Sequence, residues 1–391
     1  MKQQSKKVFG FSRNIFFTGL TSLFTDMSTK MIYSIMPMFL LSIGASKTTL
    51  SIIEGIAEST TTLLKAFSGY WSDKMGRSKP WMILGYSLSA IVMPLYAFVV
   101  TPLQVLYIRF IERIGKGIRT APRDSLIAGY DQNKESGRNF GLQKAMDNTG
   151  AIIGPLIAFA LLSTFPNNYH LIFLLAGIPS ILGVFVLIFY IKEGKKPREL
   201  LLDKFSFRDY PKRYYFLLGI IFLFTLGNST DALLLVKANE VGIQVAYIPL
   251  VYLIMNSVAV ALSIPLGTLS DKIGKEKILI IGYLIYSLVY WGFGATHSIK
   301  VITCLFALYG LYSASTDGIQ KALVSDILDA NKKGTGLGIY NALLGITLLP
   351  ASIIAGLLYD KINSSIPFYF GASIAALSSL LMMIFCKYSS K

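Results

Sequence analysis

The chain has 391 residues, of which 53% are hydrophobic and 15% are charged, and its formal net charge at pH 7 is +16. A soluble domain carries about 25% charged residues, and no soluble fold of this size could bury so much apolar surface. With two cysteines and two histidines, the chain offers neither a disulfide framework nor a Cys/His zinc site. The apolar residues form long blocks separated by short charged stretches, a pattern typical of helical membrane proteins.

Twelve such blocks follow one another along the chain, and each is long enough for the roughly 20 residues that cross a bilayer as a helix. The first block is longer than a signal-peptide core, so we interpret it as a retained span. The sequence therefore predicts an all-α integral membrane protein with twelve transmembrane helices. The blocks cover residues 14–42, 48–72, 80–100, 103–122, 139–163, 169–191, 214–236, 243–268, 278–297, 299–322, 336–359 and 365–386.

Lysine and arginine are distributed unevenly between the segments that separate the blocks. Alternate segments, beginning with the N-terminal one, hold twenty-eight of these residues, and the other segments hold four: Lys47, Lys237, Lys300 and Lys361. Because basic loops stay on the cytoplasmic side, we expect both termini to lie in the cytoplasm. We expect the chain to be a multi-pass protein of the inner or plasma membrane. This placement also accounts for the net charge without a nucleic-acid partner.

A short motif occurs twice, at 69–77 after the second block and at 267–275 after the eighth, 198 residues later. Small residues spaced by four at the start of the fifth block, Gly137, Gly141 and Ala145, also recur 197 residues on as Gly334, Gly338 and Ala342. A parallel repeat of two halves is the layout of one large class of transporter. The predicted domains are bundles at 1–191 and 214–391, joined by a basic cytoplasmic connector at 192–213.

The first copy of the motif resembles the signature loop of the Major Facilitator Superfamily (MFS), and the second copy lies where that family has its own second one. Two further motifs add to the resemblance: Arg113 with Gly117 on the fourth block, and Gly150, Gly154 and Pro155 on the fifth, which lacks the family's closing glycine pair. The resemblance covers the whole chain. It implies two six-helix bundles around a central cavity and transport by alternating access.

In MFS proteins the motif residues latch the cytoplasmic side shut. The resemblance assigns this role to Gly69, Asp73, Lys74, Gly76, Arg77 and, in the second copy, Asp271. The alternative is a charged turn that only sets the membrane topology.

Charged residues inside the blocks are the main candidates for solute binding, because each one costs about 2.5–3.5 kcal/mol or more at mid-membrane. In the family that the chain resembles, spans one, four, seven and ten line the cavity. On these spans we expect substrate-binding roles for Lys30, Arg109, Arg113, Asp231 and Asp317. The two arginines share a helix face and are suited to gripping carboxylate or phosphate groups bidentately. Asp231 and Asp317 are alternatively gate or capping residues.

Four acidic residues are candidates for proton coupling: Asp26, Glu54, Glu58 and Glu112. Glu54 and Glu58 are four residues apart, and two partly desolvated carboxylates that close do not both ionise easily. The alternative is internal ion pairing, in which Asp26–Lys30, Arg109–Glu112 and Lys144–Asp147 neutralise one another and fix helix packing.

The sequence thus predicts a proton-coupled secondary active transporter of an anionic or zwitterionic solute, of the organic-acid or carboxylate-siderophore class. It contains no P-loop pattern for ATP. We expect no enzyme activity and no cofactor, and a monomer whose partners are the solute, protons and the lipid bilayer. Two alternatives stay open: a proton-driven multidrug efflux antiporter, which the partial helix-five motif favours, and a receptor or scaffold that does not transport.

Overall fold

The computed structural model describes residues 7–75, 77–129, 136–193, 210–328 and 333–389. Apart from one antiparallel hairpin, Lys7–Val8 (β1) with Phe11–Ser12 (β2), the regular structure in these ranges is helical. The α-helices are α1 (Arg13–Tyr33), α2 (Met36–Ser42), α3 (Lys47–Met75), α4 (Lys79–Val92), α5 (Pro102–Gly129), α6 (Ser136–Thr164), α7 (Tyr169–Tyr190), α8 (Lys212–Gly227), α9 (Asp231–Glu240), α10 (Ile248–Ile273), α11 (Lys275–Ala295), α12 (Ile299–Asp326), α13 (Lys333–Lys361) and α14 (Ile366–Ser389). Short 3-10 helices occupy Pro94–Phe98 and Val245–Tyr247.

Every apolar block predicted from the sequence coincides with one helix or with two consecutive helical segments. Within the described ranges, nine helical segments are long and apolar enough to cross a membrane. The segments of the first, second and fourth blocks are not among the nine, because charged and polar residues interrupt their apolar character. The chain is therefore a multi-pass helical membrane protein, and the count of twelve spans stays a prediction.

The first span is broken at residues 34–35, between α1 and α2. Pro37 follows the break. Proline has no backbone N–H to donate, and in a continuous helix its ring would clash with the carbonyl of Tyr33. Similarly, α4 ends at Val92, shortly before Pro94 begins a 3-10 helix. Other prolines that the sequence places inside spans lie within continuous helices: Pro122, Pro155, Pro179, Pro265 and Pro350.

The seventh span is also broken, between Gly227 at the end of α8 and Asp231 at the start of α9. No proline lies there. Asn228, Ser229 and Thr230 instead prefer helix ends, because their short polar side chains bond to nearby backbone groups. The Thr230 hydroxyl accepts the backbone N–H of Ala232 at 3.3 Å and so begins α9.

Contacts group the chain into two units. The first unit holds Met1–Phe39 and Thr60–Leu202, and the second holds Leu40–Ser59 and Asp203–Lys391. In the first unit α1 packs on α6 and α7, and α4 packs on α5; in the second, α11 packs on α12 and α14, and α10 on α12. The beginning of α3 thus belongs to the second unit, which the sequence repeat did not predict.

In the second unit, the first turn of α3 is held by α13. The backbone N–H of Thr48 donates to the carboxylate of Asp360 at 2.7 Å, where the negative charge complements the helix N-terminus.

Lys237, which the sequence analysis places in an outer loop, is 3% exposed within α9, and its Nζ lies 3.5 Å from the hydroxyl of Ser364.

In the first unit, the end of α7 is fastened to the beginnings of α1 and α4. The Glu193 carboxylate accepts the backbone N–H groups of Ser78 and Lys79, each at 2.9 Å. In return, the Lys79 ammonium donates to two carbonyls at the end of α7, at 2.9 and 2.6 Å. The side-chain amide of Asn14 exchanges two hydrogen bonds of 3.0 Å with the backbone of Lys192. Each charge complements the helix terminus that it contacts.

Candidate functional site

A cationic cluster lies beside the break of the first span, in the first unit. Tyr33 is the last residue of α1, and its ring faces two cations. The Lys30 ammonium is 5.5 Å from the ring centroid, and the guanidinium of Arg109 on α5 is 5.0 Å from it. Both distances fall within the roughly 6 Å range of cation–π attraction. Tyr33 therefore brings the end of α1 and the charged face of α5 together.

On α5, Glu112 lies between two arginines. Its Oε2 is 2.9 Å from Arg109 Nη1 and 3.6 Å from Arg113 Nε. All three side chains are 2% exposed or less. The Arg109–Glu112 pair considered in the sequence analysis is therefore present, and Lys116 and Arg119 also act electrostatically on this carboxylate. The Glu112 carboxylate therefore lies among four cations of α5.

Two more arginines extend the polar face of α5 toward its C-terminal end. The Arg119 guanidinium lies 4.5 Å from the centroid of the Tyr86 ring. Arg123 forms an ion pair with Asp147 of α6 at 3.5 Å. The sequence analysis considered Lys144 as the partner of Asp147, but the ion pair found within the described residues is with Arg123, because α6 and α5 meet at this position.

Asp26 is half-buried on α1, close enough to Arg119, Arg123 and Asp147 to interact electrostatically with all three. The sequence analysis considered a pair between Asp26 and Lys30, which lie on one helix face. The structure instead places Asp26 with the arginines of α5, whereas the Lys30 ammonium faces the Tyr33 ring. Two carboxylates, Asp26 and Asp147, therefore share Arg123 as a neighbour.

The break of the seventh span, in the second unit, is enclosed by tyrosines of α11 and α12. The Tyr286 hydroxyl donates to the carbonyl of Gly227, the last residue of α8, at 2.9 Å. The Tyr309 hydroxyl donates to Oδ1 of Asp231, the first residue of α9, at 2.6 Å. The hydroxyls thus bind both sides of the break, where a continuous helix would use its own backbone.

The two residues after Gly227 have tyrosine partners as well. The side-chain amide of Asn228 donates to the Tyr312 hydroxyl at 3.1 Å, and the Ser229 and Tyr290 hydroxyls lie 3.1 Å apart. The four tyrosines are 4% exposed or less, and the rings of Tyr286 and Tyr290 stack with centroids 4.0 Å apart. Asp231 itself is half-buried. Buried tyrosines therefore stabilise the break in the seventh span through hydrogen bonds to the residues on both sides of it.

The remaining candidate residues for solute binding and proton coupling lie on α12 and α3. Asp317 on α12 is exposed and accepts a hydrogen bond from the Ser313 hydroxyl at 2.7 Å. On α3, in its part that belongs to the second unit, Glu54 is 2% exposed and Glu58 is half-buried. Within the described residues, no group of three or more metal-ligating side chains comes together.

The predicted latch is described only in part. Gly76 lies outside the described residues, and so do the side chains of Asp73 and Lys74, whereas Gly69 lies within α3. Arg77 is exposed. In the second copy, Asp271 pairs with Lys275 of the same motif at 2.9 Å, and Lys275 also contacts Asp326 at 2.9 Å.

Sequence reasoning missed the tyrosines at both breaks. The signal was present, because Tyr286 and Tyr290 are spaced by four and Tyr309 and Tyr312 by three, so each pair shares a helix face. The run Asn228–Thr230 inside an apolar block also indicates a helix stop and start.

Comparisons with known proteins agree with this architecture. The family model of the Major Facilitator Superfamily matches residues 18–346 and 215–390. An uncharacterized MFS-type transporter of Methanocaldococcus jannaschii is 35% identical over 382 residues, covering 95% of this chain and 94% of the relative. The multidrug resistance protein MdtH of Proteus mirabilis is 25% identical over 288 residues, covering 70% and 69%. The solved structure of a POT family transporter in complex with 5-aminolevulinic acid superimposes with a TM-score of 0.80 at 15% identity, covering 99% of both chains. The chain therefore belongs to the Major Facilitator Superfamily and is a transporter, not an enzyme.

Proposed function

We propose that this transporter moves a small solute carrying a carboxylate, by proton-coupled alternating access. The observation that carries the proposal is the cationic cluster of the first unit. Arg109 and Arg113 share Glu112, and Lys30 faces the same tyrosine ring as Arg109. Cations clustered within the spans attract an anionic group of the solute.

The geometry favours a carboxylate because of the arginines. A guanidinium presents paired N–H donors that match two carboxylate oxygens, which an ammonium does not. Glu112 holds Arg109 through a single oxygen at 2.9 Å, and its other oxygen makes no hydrogen bond within the described residues. A solute carboxylate then binds arginines whose orientation Glu112 has already fixed, which lowers the entropy lost on binding.

Binding is tested with purified protein and a panel of organic acids, by thermal stabilisation and direct calorimetry. We expect Arg113→Lys to weaken binding of the best acid about tenfold, since one bidentate contact is lost, and Arg113→Ala to weaken it further. Asp326→Asn is the matched control, because that carboxylate lies in a partly exposed ion pair with Lys275. Unchanged affinity in folded Arg113→Ala protein contradicts the carboxylate proposal.

Proton coupling is proposed for carboxylates that lie close to one another. Two pairs are available: Glu54 with Glu58 on α3, and Asp26 with Asp147 around Arg123. A carboxylate that crosses between two water-exposed states in a low-dielectric bundle is best neutralised before the helices move. Glu112 belongs less readily to this group, because four cations surround it.

Proteoliposomes with a pH-sensitive dye and an imposed proton gradient test the coupling. We expect the Glu54→Gln/Glu58→Gln double variant to lose gradient-driven accumulation while keeping solute exchange. Asp26→Asn should reduce both, because it also changes the charge around Arg123. Full accumulation in the double variant, with protons as the sole driving ion, removes Glu54 and Glu58 from the mechanism.

The remaining expectations belong to the same proposal: a monomer with two six-helix bundles, both termini in the cytoplasm, and a latch that uses Asp73. Asp73→Asn should leave the protein folded and inserted but slow transport, since it removes a contact made in one access state. Normal transport kinetics in this variant contradict the latch.

Proton-driven drug efflux is the second candidate. It is favoured by the aromatic surroundings of Asp231, which suit a cationic amphipathic compound, and by the relative named as a multidrug resistance protein. In a drug-sensitive host, expression of the chain would then lower ethidium accumulation, and Asp231→Asn would abolish the effect. Equal accumulation with and without the chain argues against efflux.

A further inference from the structure

Arg123 of α5 contacts two carboxylates in the first unit, one on its own helix and one on a neighbouring helix. Its Nε and Nη2 each lie 3.0 Å from Oδ1 of Asp124. Its Nη1 lies 3.5 Å from Oδ2 of Asp147 on α6 and donates to the hydroxyl of Ser22 on α1 at 3.2 Å. The contacts to Asp124 are the shorter ones, so Arg123 keeps a carboxylate partner when its contact with Asp147 is broken.

Both oxygens of Asp147 accept hydrogen bonds, as an ionised carboxylate does. Oδ2 accepts from Arg123, and Oδ1 accepts from the side-chain amide of Gln143 at 2.8 Å. Gln143 is 3% exposed, and its Oε1 makes no hydrogen bond within the described residues. A half-turn of the amide exchanges its donor with this acceptor, so Gln143 has a hydrogen-bonding group for the ionised form of Asp147 and another for the protonated form.

We infer that Asp147 takes up a coupled proton and that Arg123 then stays with Asp124, which breaks the ion pair between α5 and α6. This inference rests on the proposed function, whose proton coupling it assigns to one particular carboxylate and its partners. The proton comes from water on one side of the membrane, forms the O–H of the Asp147 carboxylic acid, and leaves to water on the other side.

The charged groups that act on Asp147 come from three helices. Asp26 of α1 repels its ionised form, whereas Arg123 of α5 and Lys144 of α6 attract it. Protonation removes the repulsion from Asp26, and Arg123 remains paired with Asp124. Arg123 therefore has a counter-charge in both states, which avoids the cost of an uncompensated buried charge.

Infrared spectroscopy of the purified full-length protein detects the proton through the carbonyl stretch of a protonated carboxylic acid. We expect one component of this band to appear when the wild type is acidified and to be lost in Asp147→Asn. Asp147→Glu should keep that component at a shifted wavenumber, which assigns it even where the Asn variant does not fold. Identical bands in the wild type and both variants overturn the inference.

Gln143 is a positioning residue for the proton in this scheme. Gln143→Leu removes the acceptor of the Asp147 O–H, so we expect it to shift the same component of the infrared band. An unshifted band in folded Gln143→Leu protein contradicts this role of Gln143.

Transport in proteoliposomes under a proton gradient tests the coupling. Asp147→Asn should lose gradient-driven accumulation and keep solute exchange, because its amide takes up no proton. Asp124→Asn should reduce accumulation, and Asp124→Glu should retain it, since Arg123 needs a carboxylate there.

Glu276→Gln is the matched control and should leave accumulation unchanged. It breaks an arginine pair of the second unit, Arg213 with Glu276 at 3.0 Å, whose carboxylate is 19% exposed against 16% for Asp147. Full accumulation in folded Asp147→Asn protein overturns the inference and leaves the proposed function standing, with Glu54 and Glu58 as the proton carriers. A wild type that does not respond to the proton gradient overturns the proposed coupling itself.

Discussion

The first and seventh spans are both broken, but different interactions hold the residues around the two breaks. At the break of the first span, Pro37 excludes a continuous helix, and ionised side chains, Arg109 with Glu112 above all, hold the neighbouring residues in place. At the break of the seventh span no proline is present. Neutral tyrosine hydroxyls there donate hydrogen bonds to polar groups at the end of α8 and the start of α9. The first break therefore depends on charge balance, whereas the second depends on hydrogen bonds and on ring packing.

The largest effect is expected from Glu112→Gln, which removes the carboxylate that pairs with two buried guanidiniums. Breaking a buried ion pair from one side costs about 3–5 kcal/mol. Denaturation in mixed detergent–SDS micelles measures the free energy of unfolding. Asp326→Asn breaks a partly exposed pair and should cost less than about 1 kcal/mol. Equal losses in the two variants would mean that charge balance does not stabilise the first break.

Tyr33→Leu should come next, since the ring faces both Lys30 and Arg109. A desolvated cation–π contact contributes about 2 kcal/mol, so we expect a loss of that size by the same measurement. Tyr33→Phe keeps the ring face and should lie close to the wild type. A comparable loss in both variants would assign the effect to the hydroxyl and not to the cations.

Tyr286→Phe tests the neutral break with a smaller expected loss of about 1 kcal/mol, the net contribution of one buried hydrogen bond. The variant leaves the Gly227 carbonyl without its donor, so amide exchange at residues 228–230 should accelerate. Tyr247→Phe is a matched control, because Tyr247 lies at an exposed position outside this cluster. No change in exchange at 228–230 would show that ring packing alone maintains the break.

Asp231→Asn should have the smallest effect on stability. The amide oxygen still accepts the Tyr309 hydroxyl, and the lost attraction to the α9 terminus contributes about 0.3–1 kcal/mol. A loss above about 3 kcal/mol would mean that Asp231 has a charge-dependent structural role like that of Glu112, which removes the contrast between the breaks.

Much of the fold is readable from the sequence, because the bilayer imposes helices of fixed length on apolar blocks. All twelve blocks contain helices where they were predicted, and Pro37 and Pro94 coincide with interruptions. The break at 228–230 was not predicted, because averaging over an apolar block hides three polar residues. Helical spacing raised Arg109 with Glu112 as one of three alternative ion pairs, and this pair is present. Contacts between helices, such as Arg123 with Asp147 or Tyr309 with Asp231, depend on packing that spacing within one helix cannot reveal.

The fastening of α7 to α1 and α4 has a mechanical consequence. Three chain segments are joined at one point by Glu193, Lys79 and Asn14, at the first residues of the predicted connector. A force that acts through the connector is therefore distributed over α1, α4 and α7, so it does not separate α7 alone from its neighbours. Hydrogen exchange at the backbone amides of Ser78 and Lys79 therefore reports whether these contacts are intact. The exchange stays slow only while the Glu193 carboxylate remains bound to the two amides.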